Sequence, residues 1–209
     1  MKLTVVSANG KAGNAIVNEA LSRDWDVTAI VRGENRTAAP HAVVKDIMDL
    51  TAEDLQGYDA VVDAFGTWAE EDLPQHSTTL FHLADLLSGT ETRFLVVGGA
   101  GSLYVDPEHT ETVSDGPDFP PEFQPLARAM GKALTGLRKR DDVRWTYVSP
   151  AGTFDPDGPR TGGYLLGGEE LLLNEKGESY ISYADYAIAV ADELQNGDHI
   201  RERISVVQK

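Results

Sequence analysis

The sequence predicts an α/β fold, a doubly wound, mostly parallel sheet with helices on both faces, as one domain over residues 1–209 with a small irregular region near 151–180 on the substrate side. Three observations predict it. Short β-branched runs recur along the chain; longer segments with helical apolar spacing separate them; and most of the short runs are continuously apolar, as strands buried on both faces require. With 41% hydrophobic residues, a chain of this length has material for one sizeable core.

The strand runs, in order, are Leu3–Val6, Asp26–Val31, Ala42–Lys45, Ala60–Phe65, Arg93–Val97 and Arg144–Val148, with a late strand at Arg203–Val207. Helices are predicted between them. Asn14–Ser22 carries Ala15, Ile16, Ala20 and Leu21 on one face, and His76–Leu87 repeats Leu80, Leu83, Ala84 and Leu87. A third helix over about Glu122–Arg140 would bury Leu126, Met130, Leu134 and Leu137, and a fourth covers Tyr183–Leu194. Two stretches break the rhythm: Leu103–Pro121, rich in Pro, Asp, Glu and Thr, and Ala151–Glu178, with seven glycines and the run Leu171–Leu173. Connections of that length in a compact domain are often functional.

Charge narrows the partners. Eighteen basic against 34 acidic residues give a formal charge of −16, which repels nucleic acid and anionic membrane surfaces, so neither is expected as a partner. An anionic ligand must then be drawn in by backbone N–H groups and a few local Arg or Lys side chains. The chain has no cysteine, which excludes disulfides, thiolate nucleophiles and thiolate metal sites. The five histidines, His41, His76, His82, His109 and His199, show no metal-binding spacing. Without a charged region leading into a long apolar stretch, no signal peptide is expected, and a cytoplasmic location follows. Monomer and homodimer both stay open.

After the first strand run comes SANGKAG, Ser7–Gly13, and then a helix. A tight turn at that position lets backbone N–H groups at a helix N-terminus approach a pyrophosphate, the arrangement of the Rossmann fold. Ser7, Asn9, Gly10, Lys11, Ala12 and Gly13 are the candidate phosphate contacts. The pattern is S-x-x-G-x-x-G, so Ser7 stands where a first glycine is usual; a serine there is tolerable provided its φ stays negative. The second strand ends Ile30-Val31-Arg32. An NAD site would place Asp or Glu there to hold the ribose 2′-OH, whereas the Arg32 guanidinium suits a 2′-phosphate, with Arg36 near enough to help. NADP(H) is therefore expected over NAD(H). Asp46, after the third strand, falls where such folds contact adenine, and Ala64, Phe65 and Gly66 would pass beneath the nicotinamide-side ribose.

These segments, together with VVDAFGTW (Val61–Trp68), RFLVVGGAGSL (Arg93–Leu103), WTYVSPAGTFDP (Trp145–Pro156), RTGGYLLGG (Arg160–Gly168) and ISYADYAIAVADEL (Ile181–Leu194), resemble the atypical, extended short-chain dehydrogenase/reductase superfamily. Within it the chain is similar to the small NAD(P)-binding proteins called NADH-flavin reductases, related to biliverdin reductase B. The resemblance covers nearly the whole chain. It implies a Rossmann-like core with the nicotinamide over the carboxyl ends of the fourth and fifth strands, Gly98 and Pro150 at its edges, and a pocket bounded by Gly98–Leu103 and the segment after Pro150. It also implies Ser102 near the active-site serine position, with a hydroxyl able to donate to a substrate oxygen.

One departure shapes the chemistry. Ketone-reducing relatives use a Tyr-x-x-x-Lys pair to protonate the developing alkoxide; none of the seven tyrosines here has Lys four residues on, and the residue four before Lys132, in the position of the catalytic lysine, is Arg128. Hydride transfer to an acceptor that disperses charge, a flavin or quinone, then becomes the economical reaction, with FMN or FAD as substrate and not as a bound cofactor. Phe65, Trp68, Tyr104 and Phe154 are the candidate stacking wall for that small-molecule acceptor. The alternative is a regulator resembling NmrA-type redox sensors, which bind the dinucleotide without turnover.

Overall fold

The computed structural model describes residues 1–209. Ten strands and four α-helices follow one another as β1 (Lys2–Val6), α1 (Lys11–Ser22), β2 (Asp26–Val31), β3 (His41–Val44), β4 (Ala60–Asp63), α2 (Gln75–Leu86), β5 (Arg93–Val97), α3 (Gln124–Leu137), β6 (Arg144–Ser149), β7 (Thr153–Asp155), β8 (Tyr164–Gly167), β9 (Tyr180–Ser182), α4 (Tyr183–Asn196) and β10 (Glu202–Gln208). Eight strands form one sheet in the order β3-β2-β1-β4-β5-β6-β10-β8, parallel except for β8, which runs antiparallel to β10. β7 and β9 pair in a separate two-stranded sheet within the region expected to be irregular.

Alternation along the central strands divides the core in two. Leu3 and Val5 of β1, Ala60 and Val62 of β4, Leu95 of β5 and Val148 of β6 join Ile16, Val17 and Ala20 of α1 and Tyr186, Val190 and Leu194 of α4 on one face. Val6, Val61, Phe94, Val96, Trp145 and Tyr147 face the other way, onto Leu80, Leu83 and Ala84 of α2 and Leu134 and Leu137 of α3. Strands buried on both sides have no polar face, which is why their sequences are continuously apolar. The second half of the stripe predicted for α3 is the part that is buried; Leu126 and Met130 stay partly exposed.

The element boundaries differ locally for identifiable reasons. The fourth strand was expected to run to Phe65 but ends at Asp63, whose carboxylate accepts the N–H of Phe65 at 3.0 Å and turns the chain out of the sheet. The segment before Gln124 starts as a single 3-10 turn, Pro121–Phe123, because Pro121 and Pro125 interrupt the first α-helical bonds. Strand β3 begins one residue earlier than expected, at His41.

Register then places distant residues side by side. Val6 lies beside Ile30 and Asp63, Asp63 beside Val96, Val96 beside Tyr147, and Tyr147 beside Arg203, one row crossing the sheet near its carboxyl edge. The order reverses at β1, with β2 on one side and β4 on the other. The crevice outside the carboxyl ends at such a reversal is where open α/β sheets bind ligands.

Candidate functional site

A cleft of ≈ 640 Å³ opens at that reversal, lined by Ser7, Asn9 and Gly10 after β1, by Arg32, Gly33, Glu34 and Arg36 after β2, by Asp46–Met48 after β3 and by Ala64–Gly66 after β4. Its volume falls in the range of cofactor pockets. Most of the residues expected at a dinucleotide are thus brought together by the structure. Gln75, Thr78 and Thr79 of α2 complete the wall; sequence reasoning missed them because they face the cleft only once α2 is docked.

The turn between β1 and α1 is built by close approach. Gly10 is the N-cap of α1 and donates its N–H to the carbonyl of Ser7 at 2.9 Å. No side chain caps the helix, and its first internal bond runs from Asn14 N–H to Gly10 O at 2.8 Å. The N–H groups of Lys11, Ala12 and Gly13 are therefore left without an intrahelical or side-chain acceptor, as the donors of an anion site would be. At Gly13 a Cβ would stand 2.8 Å from Ser7 O and 2.9 Å from Ala8 Cα, so only glycine lets α1 lie this close to β1. Ser7 departs from the expectation: its φ is +58°, in the left-handed region, so the serine carries the strained conformation that a glycine takes freely.

Asn9 does something its position alone did not reveal. Its Nδ2 donates to Glu34 O at 2.9 Å and its Oδ1 accepts from Arg36 N–H at 2.8 Å. One amide side chain thereby ties the turn between β1 and α1 to the loop after β2. That loop is braced further by Asn35, whose Oδ1 accepts the backbone N–H and the hydroxyl of Thr37 and whose Nδ2 donates to Ala39 O. Arg32 and Arg36 are exposed on this braced loop, and neither guanidinium takes part in an ion pair or hydrogen bond, in contrast to Lys45, whose ammonium holds Asp54 at 2.7 Å. Glu34 sits between the two arginines on the same rim. Asp46 lines the cleft while its carboxylate accepts Met48 N–H at 3.0 Å, capping the 3-10 turn Ile47–Asp49.

Beneath the exit of β4 lies a small cavity of ≈ 20 Å³ bounded by Asp63, Phe65, His76, Val97, Met130 and Tyr147, among others. Burial pushes the Asp63 carboxyl up to about 6, opposed by its bond from Phe65 N–H. His76 packs edge-on to Phe65 at 5.5 Å between ring centroids, its Nε2 lies 3.1 Å from Thr67 O, and burial lowers its pKa. These two residues fix the loop that carries Ala64, Phe65 and Gly66 into the cleft. Neither residue type nor spacing marked them out beforehand. Gly98, at the end of β5, is buried against the ring of Tyr147, which a Cβ would enter, and Pro150 is buried at the exit of β6.

The four aromatics expected to form one wall are not brought together. Phe65 pairs with His76; Trp68, 72% exposed, meets Phe123 edge-on at 5.7 Å; Tyr104 stacks on His109 at 4.4 Å; and Phe154 packs on Tyr183 and Tyr186 at 3.9 and 4.8 Å. Apolar area has been satisfied locally in four places, which spacing along a sequence does not reveal. Phe65 alone of the four lines the cleft; Trp68, three residues on along the same loop, does not. Lys132 is exposed on α3 without a partner and lines neither cavity. Of the buried tyrosines, Tyr186 donates to Val148 O at 2.7 Å, and Tyr147, on the wall of the small cavity, has its phenol pushed up to about 12 by burial. Ser102, in the turn after β5, accepts from the guanidinium of Arg203 at 3.0 Å. No three His, Cys, Asp or Glu side chains cluster as metal ligands, and no helix is long and apolar enough to cross a membrane.

Comparison with known proteins agrees with the fold. Residues 7–197 match the model of the NAD(P)H-binding family. Uncharacterized protein YwnB of Bacillus subtilis strain 168 is 45% identical over all of this chain and 99% of its own. A solved structure from Streptococcus pneumoniae TIGR4, named "putative NADH-flavin reductase", is 55% identical, covers 100% of both chains and superposes with a TM-score of 0.98. Another, from Bacteroides thetaiotaomicron and named "putative epimerase", is 33% identical over 99% of this chain and 96% of its own, with a TM-score of 0.85.

Proposed function

The chain belongs to the NAD(P)H-binding family, and from that premise we propose that it is an NADPH-dependent reductase that passes hydride to a flavin or quinone-like acceptor. The observation that carries the choice of cofactor is the pair of unpartnered arginines, Arg32 and Arg36, on a loop already held to the phosphate turn by Asn9. A bidentate guanidinium matches a 2′-phosphate, and a loop that is ordered beforehand loses little entropy on binding. The uncapped first turn of α1 fits the pyrophosphate, and the absence of a side chain at Gly13 fits the close approach such a site requires. When bound, the reduced nicotinamide supplies the hydride.

The chain's own residues orient this reaction. Lys11–Gly13 N–H groups hold the phosphates; Arg32 and Arg36 select the phosphorylated ribose; Asp46–Met48 flank the adenine end; Ala64–Gly66, set by Asp63 and His76, support the nicotinamide end. With Tyr147 and Tyr186 buried and no Tyr-x-x-x-Lys pair, the chain offers no lysine-activated phenol of the kind ketone reduction uses as a general acid. That favours an acceptor which spreads the incoming charge, where distance and stacking matter more than proton donation. FMN or FAD acts as a substrate that comes and goes.

Steady-state oxidation of NADPH with FMN, FAD and a benzoquinone, beside fluorescence titration of NADPH and NADH, tests the proposal. Turnover with at least one acceptor and tighter binding of NADPH support it. Tight NADPH binding with no turnover on any acceptor refutes the reductase and leaves the redox-sensor reading, which would then require different affinities for NADP⁺ and NADPH.

A further inference from the structure

The acidic residues buried in this chain are Glu19, Asp63, Asp185 and Glu193, and all but Asp63 are compensated. Glu19 meets Arg23 and Arg160 at 2.9 Å each, and Glu193 meets Arg93 at 2.9 Å and His199 at 2.7 Å. Asp185 accepts the N–H and the hydroxyl of Thr161 and the N–H of Gly162. Asp63, 4% exposed, has no cationic partner and takes a single hydrogen bond, from Phe65 N–H at 3.0 Å. The elements packed against it supply two titratable side chains, His76 from α2 and Tyr147 from β6; α3 presents Met130 and Ala133, β5 Val96 and β1 Val6. Burial lowers the pKa of His76 and raises that of Tyr147, so both are neutral at pH 7. Arg203 lies one strand beyond Tyr147 and is occupied by Glu169 and Ser102.

A buried carboxylate is costly unless a positive charge comes near it. Asp63 closes β4 and Val97 closes β5, both bound the small cavity, and Phe65 lines that cavity and the cleft alike. The nicotinamide ring, which the reading above sets over these two strand ends, is neutral when reduced and positively charged when oxidised. Resting on that placement of the cofactor, we propose that Asp63 is the counter-charge of the oxidised ring: its carboxyl keeps its proton while NADPH fills the cleft and releases it to solvent when NADP⁺ does. The charges balance. The hydride takes its electron pair to the acceptor, which draws a proton from solvent; the ring gains one positive charge and Asp63 loses one proton, so ring and carboxyl together stay neutral before and after. Affinity for NADP⁺ relative to NADPH then rises with pH through the titration of Asp63, which burial has already pushed up to about 6.

Calorimetric titration of the wild-type protein and of Asp63→Asn with NADP⁺ and with NADPH, from pH 5 to pH 7.5, tests this. Both cofactor forms carry the same phosphates, whose own titration cancels in the ratio of the two dissociation constants. In the wild type that ratio should move about 10-fold toward NADP⁺ across the range, which is a displacement of the Asp63 pKa by about one unit between the two complexes. Near pH 6, repeating the titration in two buffers of different ionisation enthalpy should show more proton release with NADP⁺ than with NADPH. Asp63→Asn, which keeps an oxygen for Phe65 N–H, should give a ratio independent of pH. If that variant fails to fold, the proton count in the wild type decides alone. A wild-type ratio that does not change with pH, equal proton release for the two forms, or the same pH dependence in Asp63→Asn overturns the inference and leaves the reductase standing. Failure to turn over any acceptor removes the reductase without touching these binding ratios, whereas a protein that binds neither form overturns both.

Discussion

Gly13→Ala sets two effects against each other within one methyl group. In an ordinary helix the change would stabilise by roughly 0.5–1 kcal/mol, since Ala loses less conformational entropy than Gly. Here the added Cβ stands 2.8 Å from Ser7 O, 2.9 Å from Ala8 Cα and 3.2 Å from Ala8 C. Carbon atoms prefer about 3.5–4.0 Å, so the new methyl would sit too near the Ala8 backbone by about 0.6 Å or more. All three atoms are backbone of the β1 exit and cannot swing aside as a side-chain tip would. Helix α1 must back away from the sheet, at a packing cost of about 1–3 kcal/mol, and this outweighs the propensity gain. The net expectation is a loss of about 1–2 kcal/mol, together with weaker NADPH binding because the first-turn N–H groups move with the helix. Urea unfolding gives the first quantity and fluorescence titration the second. Gly131→Ala, inside α3 and outside the cleft lining, is the matched control, since a Cβ there meets only Ser102 Cβ at 3.8 Å, an ordinary contact. A Gly13→Ala protein as stable as wild type, with unchanged NADPH affinity, would refute the close-approach reasoning.

The remaining predictions concern charge. Arg32→Asp should cut the preference for NADPH over NADH by about 10- to 100-fold, the scale of losing one or two charge-assisted bonds at about 1.5–3 kcal/mol each; unchanged preference in paired titrations removes Arg32 from the site. Asp63 has a folded pKa of about 6 against an ordinary 3.8, so between those values the folded state holds a proton that the unfolded state has released, and stability falls as pH rises through that window. Asp63→Asn should abolish that part of the slope, worth about 3 kcal/mol in all at 1.36 kcal/mol per unit, and thermal melts from acid to neutral pH would expose a mutant that keeps it. Glu193 of α4 accepts from Arg93 Nη2 at 2.9 Å and from His199 N–H at 2.9 Å, with both partners of the ion pair buried. Glu193→Ala should therefore destabilise by about 3–5 kcal/mol through an uncompensated buried guanidinium, far from the cleft, so a change of less than 1 kcal/mol in denaturant unfolding would contradict the pair's buried character.

Local chemistry was legible where it depends on neighbours in the chain. The turn Ser7–Gly13 lies between a strand and a helix in sequence as in space, and Arg32 ends its strand because the apolar run stops there. The backbone of Ser7 was not legible, since a φ of +58° is imposed by how β1 must bend to meet α1 and not by the serine itself. Phe154 and Tyr104 illustrate the same limit for side chains. Each has the composition of a substrate contact, and each is occupied by a partner between 5 and 32 residues away, His109 for Tyr104 and Tyr183 and Tyr186 for Phe154.

By itself the sequence determined the parallel, doubly covered sheet, the glycine-bearing turn between the first strand and the first helix, and the basic residues at the end of the second strand. Those features are periodic or contiguous, and short-range physics selects them. Only the tertiary structure decided that Asp63, Val96, Tyr147 and Arg203 share one row across four strands, and that the last of them reaches Ser102 across 101 positions of chain. Sheet register fixes such neighbours, and register is a property of all the strands packed at once, set by hydrogen bonds and burial that no single segment contains.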